Sequence, residues 1–296
     1  MNREHAKQIV QNAVATTEPR WRQYAQTWKD IDIIFIKHGY EQQGFRFFRF
    51  APFLSERGIL SIDALGSILD DSRNKEPYEP KYAKGLNADF YCQLRKGNFG
   101  SNGVLFEQAT RLFKEREPAK CGRFYWKLLW YMLQACSYLR RHHDCSFAGY
   151  VMSEYGRFKQ HPRLSETEFL SIKDDEWLSF LEAVKPWKHL KGIGENVFDF
   201  IFGDVVEAQF AEDSYKFDSA NEYFLTVTGI ASLIVPLGRG AVIDFMRSLR
   251  LPYTLREINK GIYTYCSLTE AENYGYCRSS WKCQECSVKD ICSRHL

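Results

Sequence analysis

The sequence predicts an all-α protein. Apolar residues recur at helical spacing along most of the chain, strand-like alternation is confined to DIIFIKH (32–38) and YFLTVTG (223–229), and turn-forming clusters leave helix-sized segments between them. Each of the two strand-like stretches is also compatible with a short helix. A chain of 296 residues exceeds the usual single-core size and points to more than one lobe. With 45% hydrophobic and 16% aromatic residues, burial must be extensive. No long Ser/Pro/Gly or single-sign charge tract suggests disorder.

Along the chain, turns are expected at RGILS (57–61), RKGNFGSNG (95–103), KEREPAKCG (114–122), KQHPRLSET (159–167) and PLGRG (236–240). RFYWKLLWYMLQACSYLRRHH (123–143) is apolar on every side, as a central helix buried by its neighbours would be. Its uncharged run, LLWYMLQACSYL (128–139), is too short to cross a bilayer. The N-terminus, MNREHAKQIVQNAVATTEPRW, is polar where a secretory signal needs an apolar stretch. A soluble, cytoplasmic, monomeric protein without a membrane partner is expected.

A helix pair is expected within residues 171–209. Ser171 can cap the first helix, with Asp174, Asp175 and Glu176 at the positive end of its dipole, and Trp177, Phe180, Leu181 and Val184 form its buried face. Pro186 ends it. The second helix starts near Glu195 and buries Val197, Phe198, Ile201, Phe202 and Val205. Between them lies LKGIG (190–194), a compact turn whose backbone N–H groups can face a phosphate at a helix N-terminus, or simply cap a helix.

Nine cysteines are present, of which Cys92, Cys121, Cys136, Cys145 and Cys266 are scattered and read as reduced core thiols. The other four, Cys277, Cys283, Cys286 and Cys292, follow the pattern C-x5-C-x2-C-x5-C. One CxxC flanked by lone cysteines suits a [4Fe–4S] cubane, with zinc as the alternative. The net charge of +3 is concentrated between Arg239 and Arg294, where nine Lys/Arg stand against six Asp/Glu. Such a basic region suits a polyanion partner or a solvated face.

LKGIGENVFDFIFGDV followed by KFDSANEYFLTVTG resembles the helix-hairpin-helix base-excision DNA glycosylases. Their pattern is an L-P-G-(V/I)-G hairpin, a helix, and a (V/P)-D-(T/S) aspartate about two dozen residues later. Gly192, Ile193 and Gly194 match the hairpin, and Asp218 matches the catalytic aspartate, with Ser219 behind it. The family's C-x6-C-x2-C-x5-C tail holds a [4Fe–4S] cluster, and the tail here is one residue short in its first spacing. The resemblance covers roughly residues 170–296.

The resemblance implies a two-lobed helical glycosylase fold. Three consecutive stretches are expected: an N-terminal helical extension (1–75), a helical domain carrying the hairpin (76–215), and an aspartate loop with a cluster lobe (216–296). It further implies that Gly192, Ile193, Gly194, Lys188 and Lys191 hold the DNA backbone, and that the cluster staples a small lobe whose Arg278, Lys282, Lys289 and Arg294 face DNA or merely solubilise it. Asp218 would stabilise the positive sugar formed as the N-glycosidic bond breaks. It also reads as an N-cap. Bifunctional members carry a lysine where this chain has Asn196, so hydrolysis without strand cleavage is expected.

The target nucleotide must be extruded from double-stranded DNA to be reached. GYEQQGFRFFRF (39–50) is the densest polar-aromatic stretch; its Phe45, Phe47, Phe48 and Phe50 read as core, and Gln42, Gln43, Arg46, together with Asn196, as base or DNA contacts. The divergent texture resembles the branch associated with hypermodified phage bases, which implies a modified or mismatched base as substrate, including glucosylated hydroxymethylcytosine in anti-phage defence. The rival readings are a hypermodified-thymine processing enzyme and a non-catalytic, metal-stapled DNA-binding module.

Overall fold

The computed structural model describes residues 1–40, 54–56, 58–70, 111 and 123–293. Its helices are α1 (Arg3–Trp21), α2 (Ile31–Tyr40), α3 (Ile62–Asp70), α4 (Arg123–His142), α5 (Phe147–Phe158) and α6 (Glu166–Leu170). They continue with α7 (Asp174–Val184), α8 (Glu195–Phe202), α9 (Ser219–Thr228), α10 (Arg239–Ser248), α11 (Leu255–Cys266) and α12 (Ser280–Glu285). Among the described residues there is no β-strand, and extended pairing is limited to an isolated Gln26–Val205 bridge. The described residues are all-α, as the periodicity predicts. Both strand-like stretches are helical, DIIFIKH in α2 and YFLTVTG at the end of α9. No helix among the described residues is long and apolar enough to cross a membrane.

The chain forms two compact units, residues 1–28, 167–178 and 202–296 in one, 29–166 and 179–201 in the other. They do not follow the three consecutive stretches expected from the sequence. The reason lies in α1, which is no extension. Its Ala6, Ile9, Val10, Ala13, Val14 and Trp21 are buried in the same core as Leu255, Ile258, Ile262 and Tyr265 of α11. The two helices pack so closely that a Cβ on Gly261 would lie 2.7 Å from Val14 Cα, which requires glycine there. Asn2 starts α1 by accepting the His5 N–H at 2.8 Å, and Thr254 and Glu257 close a capping box at the start of α11.

The other unit is built around α4, whose Leu129, Met132, Leu133, Cys136 and Leu139 are buried. Asp32 of α2 accepts the N–H groups of Phe147 and Ala148 at 2.7 and 3.0 Å, which satisfies the first turn of α5 with a side chain more than a hundred residues away in sequence. Phe35 and Phe147 stack with ring centroids 4.4 Å apart. This scaffold fixes the turn between α7 and α8.

Candidate functional site

The hairpin is a helix, a short 3-10 turn (Pro186–His189), the GIG turn and a second helix. Lys185 is left-handed (φ 53°) and Pro186 follows, so α7 stops at Val184. Ser171 does not cap α7, which starts at Asp174; its hydroxyl instead donates to Glu168 O at 2.8 Å. Gly192 has φ +81°, and a Cβ there would meet the Tyr131 ring at 2.7 Å, so only glycine fits. Tyr40 donates to Lys191 O at 3.0 Å, and Tyr150 donates to Pro186 O. Two buried tyrosines thus clamp the backbone on either side of the turn.

Gly194, with open space where a Cβ would stand, is exposed, as are Lys188, Lys191 and Asn196. Ile193 behaves otherwise. Its side chain is 6% exposed and its N–H donates to Leu190 O at 3.1 Å. It anchors the turn, and its single N–H already has an acceptor within the turn. Tyr138 of α4 contacts His142, His143 and His189 with ring centroids 5.0, 5.5 and 5.6 Å away, drawing the basic end of α4 toward the hairpin turn. Gln42, Gln43 and Arg46 lie outside the described residues.

Asp218 is the N-cap of α9. Its Oδ1 accepts the N–H groups of Ala220 and Asn221, both at 3.0 Å, and the Asn221 side-chain amide at 3.0 Å. Its Oδ2 has no hydrogen-bond partner among the described residues, and the residue is half-buried. The cap expected from the sequence is therefore present, and it occupies only one of the two carboxylate oxygens.

The four clustered thiols line one pocket with Val227 and Thr228 of α9, Tyr265 of α11, Tyr276, Val288, Lys289 and Ile9. Gly275 (φ 70°) turns the chain into the segment bearing Cys277, Cys283 sits on α12, and Cys286 ends that helix. A hydrogen bond to the buried Cys266 thiol, with burial, pushes the Cys277 thiol far above its ordinary range. Tyr265 Oη lies 2.9 Å from Cys286 Sγ and stacks on Tyr276 at 4.7 Å. Four thiols in one largely apolar pocket are the donor set that thiolate-bound iron–sulfur or zinc requires. Among the described residues, no group of three or more His, Cys, Asp or Glu side chains is placed to hold a metal ion.

One of the basic residues expected to face outward, Lys282, is buried instead. Lys282 is 6% exposed and donates to the carbonyls of Ala271, Glu272 and Tyr274 at 2.6, 3.1 and 2.6 Å. Arg278 lies 3.5 Å from the Tyr223 ring centroid and donates to Cys266 O at 2.8 Å. Lys289 donates to Gln284 O at 2.9 Å, and Arg294 lies outside the described residues. Carbonyls left over by the irregular 268–275 segment recruit the first of these cations, a demand that no local sequence pattern announces. Replacing Lys282 by Met keeps the stem and removes three charge-assisted donors, so unfolding free energy should fall by about 3 kcal/mol, which paired denaturation curves check.

No family model, curated protein or solved structure matches the chain.

Proposed function

We propose that the chain is a monofunctional DNA glycosylase that hydrolyses the N-glycosidic bond of a modified or mismatched base in double-stranded DNA. The observation that carries this reading is Asp218, with Oδ1 held by three donors and Oδ2 unpartnered at the half-buried start of a helix. Departure of the base with the bonding electrons leaves a cationic sugar at C1′. The Oδ2 carboxylate stabilises that cation and takes a proton from the water whose oxygen bonds to C1′. Asn196 offers no amine, so no Schiff base forms at that position and the strand stays intact.

Cys277, Cys283, Cys286 and Cys292 would hold the metal centre, [4Fe–4S] or zinc, which supplies folding energy to its lobe rather than chemistry to the sugar. Lys188 and Lys191, exposed beside the Gly192–Gly194 turn, hold the phosphate backbone without reading sequence. The extruded base is a modified one, with the hypermodified bases of phage DNA such as glucosylated hydroxymethylcytosine among the candidates, or a mismatched one.

The deciding experiment incubates the protein with glucosylated phage DNA, its unmodified counterpart, and duplexes carrying mismatched or damaged bases, then counts abasic sites with an aldehyde-reactive probe. Abasic sites on one of these substrates support the reading. Retained duplex binding with no abasic sites on any of them leaves a metal-stapled DNA-binding module.

The hairpin has its own test. Changing both Lys188 and Lys191 to Glu should weaken binding to every duplex at least about tenfold and lower the slope of log affinity against log salt by about two. A loss confined to one sequence or base would mean that these lysines read bases instead.

A further inference from the structure

Behind Asp218 lies a chain of buried polar groups that helix capping does not need. Tyr215, fully buried, donates to Asn221 Oδ1 at 2.8 Å, and Asn259 Nδ2 donates to the same oxygen at 3.1 Å. With Oδ1 of Asn221 taken by two donors, its Nδ2 is left to face Asp218 Oδ1 at 3.0 Å. Asn259 also ties the backbone of Lys216, accepting its N–H at 3.3 Å and donating to its carbonyl at 2.8 Å.

Arg256 continues the chain, donating to Asn259 Oδ1 at 3.0 Å, to Gly203 O at 2.6 Å and to Asp204 at 2.7 Å. Lys260 meets the same Asp204 oxygen at 2.7 Å. Asn221 is 0% and Asn259 4% exposed. Burying so many polar groups is costly unless every partner is in place. An N-cap requires only Asp218 and the two backbone N–H groups it already holds. The additional side chains, Tyr215 and those of α11, act on that carboxylate through Asn221, whose amide is the one side-chain donor to Oδ1.

We infer that Asn221, itself fixed by Tyr215 and Asn259, is a positioning residue that locks the Asp218 carboxylate with Oδ2 turned toward the sugar cation. The inference rests on the glycosylase reading. Its geometry makes Asn259 a second positioning residue, because that side chain sets both the Asn221 amide and the backbone leading into Asp218. Tyr215 only completes the far side of the Asn221 amide.

The test needs no knowledge of the base. Binding is measured to duplexes with an abasic pyrrolidine nucleotide, whose protonated ring nitrogen mimics the sugar cation, and to the same duplexes with neutral tetrahydrofuran. Wild-type protein should prefer the cationic ring, and Asp218→Asn should abolish that preference. Asn221→Ala and Asn259→Ala should each cut the preference about tenfold with tetrahydrofuran affinity unchanged. Asn221→Gln, which keeps an amide and misplaces it, should not restore it. Tyr215→Phe, which leaves Asn259 as the remaining donor to Asn221 Oδ1, should lower the melting temperature and cut the preference less than Asn221→Ala does.

Where Asn221→Ala does not fold, Asn259→Ala and Asn221→Gln give the same readout. Folded Asn221 and Asn259 variants with the wild-type preference would overturn the inference and leave the glycosylase reading standing. Wild-type protein without a preference, or Asp218→Asn that keeps one, would overturn both.

Discussion

Asp218→Asn is expected to lower base release by at least about a thousandfold while duplex binding survives or tightens slightly. Asparagine preserves the shape at the start of α9, and its carbonyl oxygen can still accept the Ala220 and Asn221 N–H groups that the carboxylate accepts at 3.0 Å. What disappears is the negative charge at the unpartnered oxygen, so the loss should appear in the chemical step, measured in a single turnover with enzyme in excess. Intact abasic strands that break only on alkali or heat should be the wild-type product, and borohydride should trap no covalent complex, because Asn196 is not an amine. A borohydride-trapped adduct would assign the attack to another amine. Full activity in Asp218→Asn would reduce the residue to a helix cap.

Cys283→Ser should bleach a brown protein and destabilise the unit containing residues 202–296 by several kcal/mol, since metal-binding energy is folding energy in a thiolate-held lobe. The effect should reach Asp218. Val227 and Thr228 in the last turn of α9 line the thiol pocket, and Thr228 O accepts the Ser293 N–H at 3.1 Å. Asp218 caps the opposite end of the same ten-residue helix. Loss of the centre should therefore raise hydrogen exchange at the Ala220 and Asn221 amides, which Asp218 otherwise protects. Chelation of the wild-type protein should reproduce both changes. Colourless protein with stoichiometric zinc would replace the iron–sulfur assignment, and an unchanged melting curve in Cys283→Ser would remove the structural role.

Much of this was legible because it is local. The LKGIG turn, the stop at Pro186, the start of α8 at Glu195 and the Asp218 cap all depend on residues within one or two turns of each other, where backbone sterics and first-turn hydrogen bonds decide the outcome. The four thiols were legible for the same reason, since their spacing keeps them in one loop. The two strand-like segments were ambiguous because a short apolar run reads alike in either period, and burial within helical neighbours resolved them as parts of α2 and α9.

By itself, then, the sequence determined the helical class, the hairpin turn, the capping aspartate and the cysteine set. Tertiary structure alone decided which polar groups are spent inside the fold. Lys282 is consumed by three carbonyls, Ile193 by its own turn, and Arg256 by Asp204 across 52 positions of sequence. It also decided that α1 belongs with α11, through a contact that only Gly261 permits. The physical reason is one of range: caps and periodicity act over a few residues, whereas a buried donor takes whichever acceptor the packing delivers, however distant in the chain.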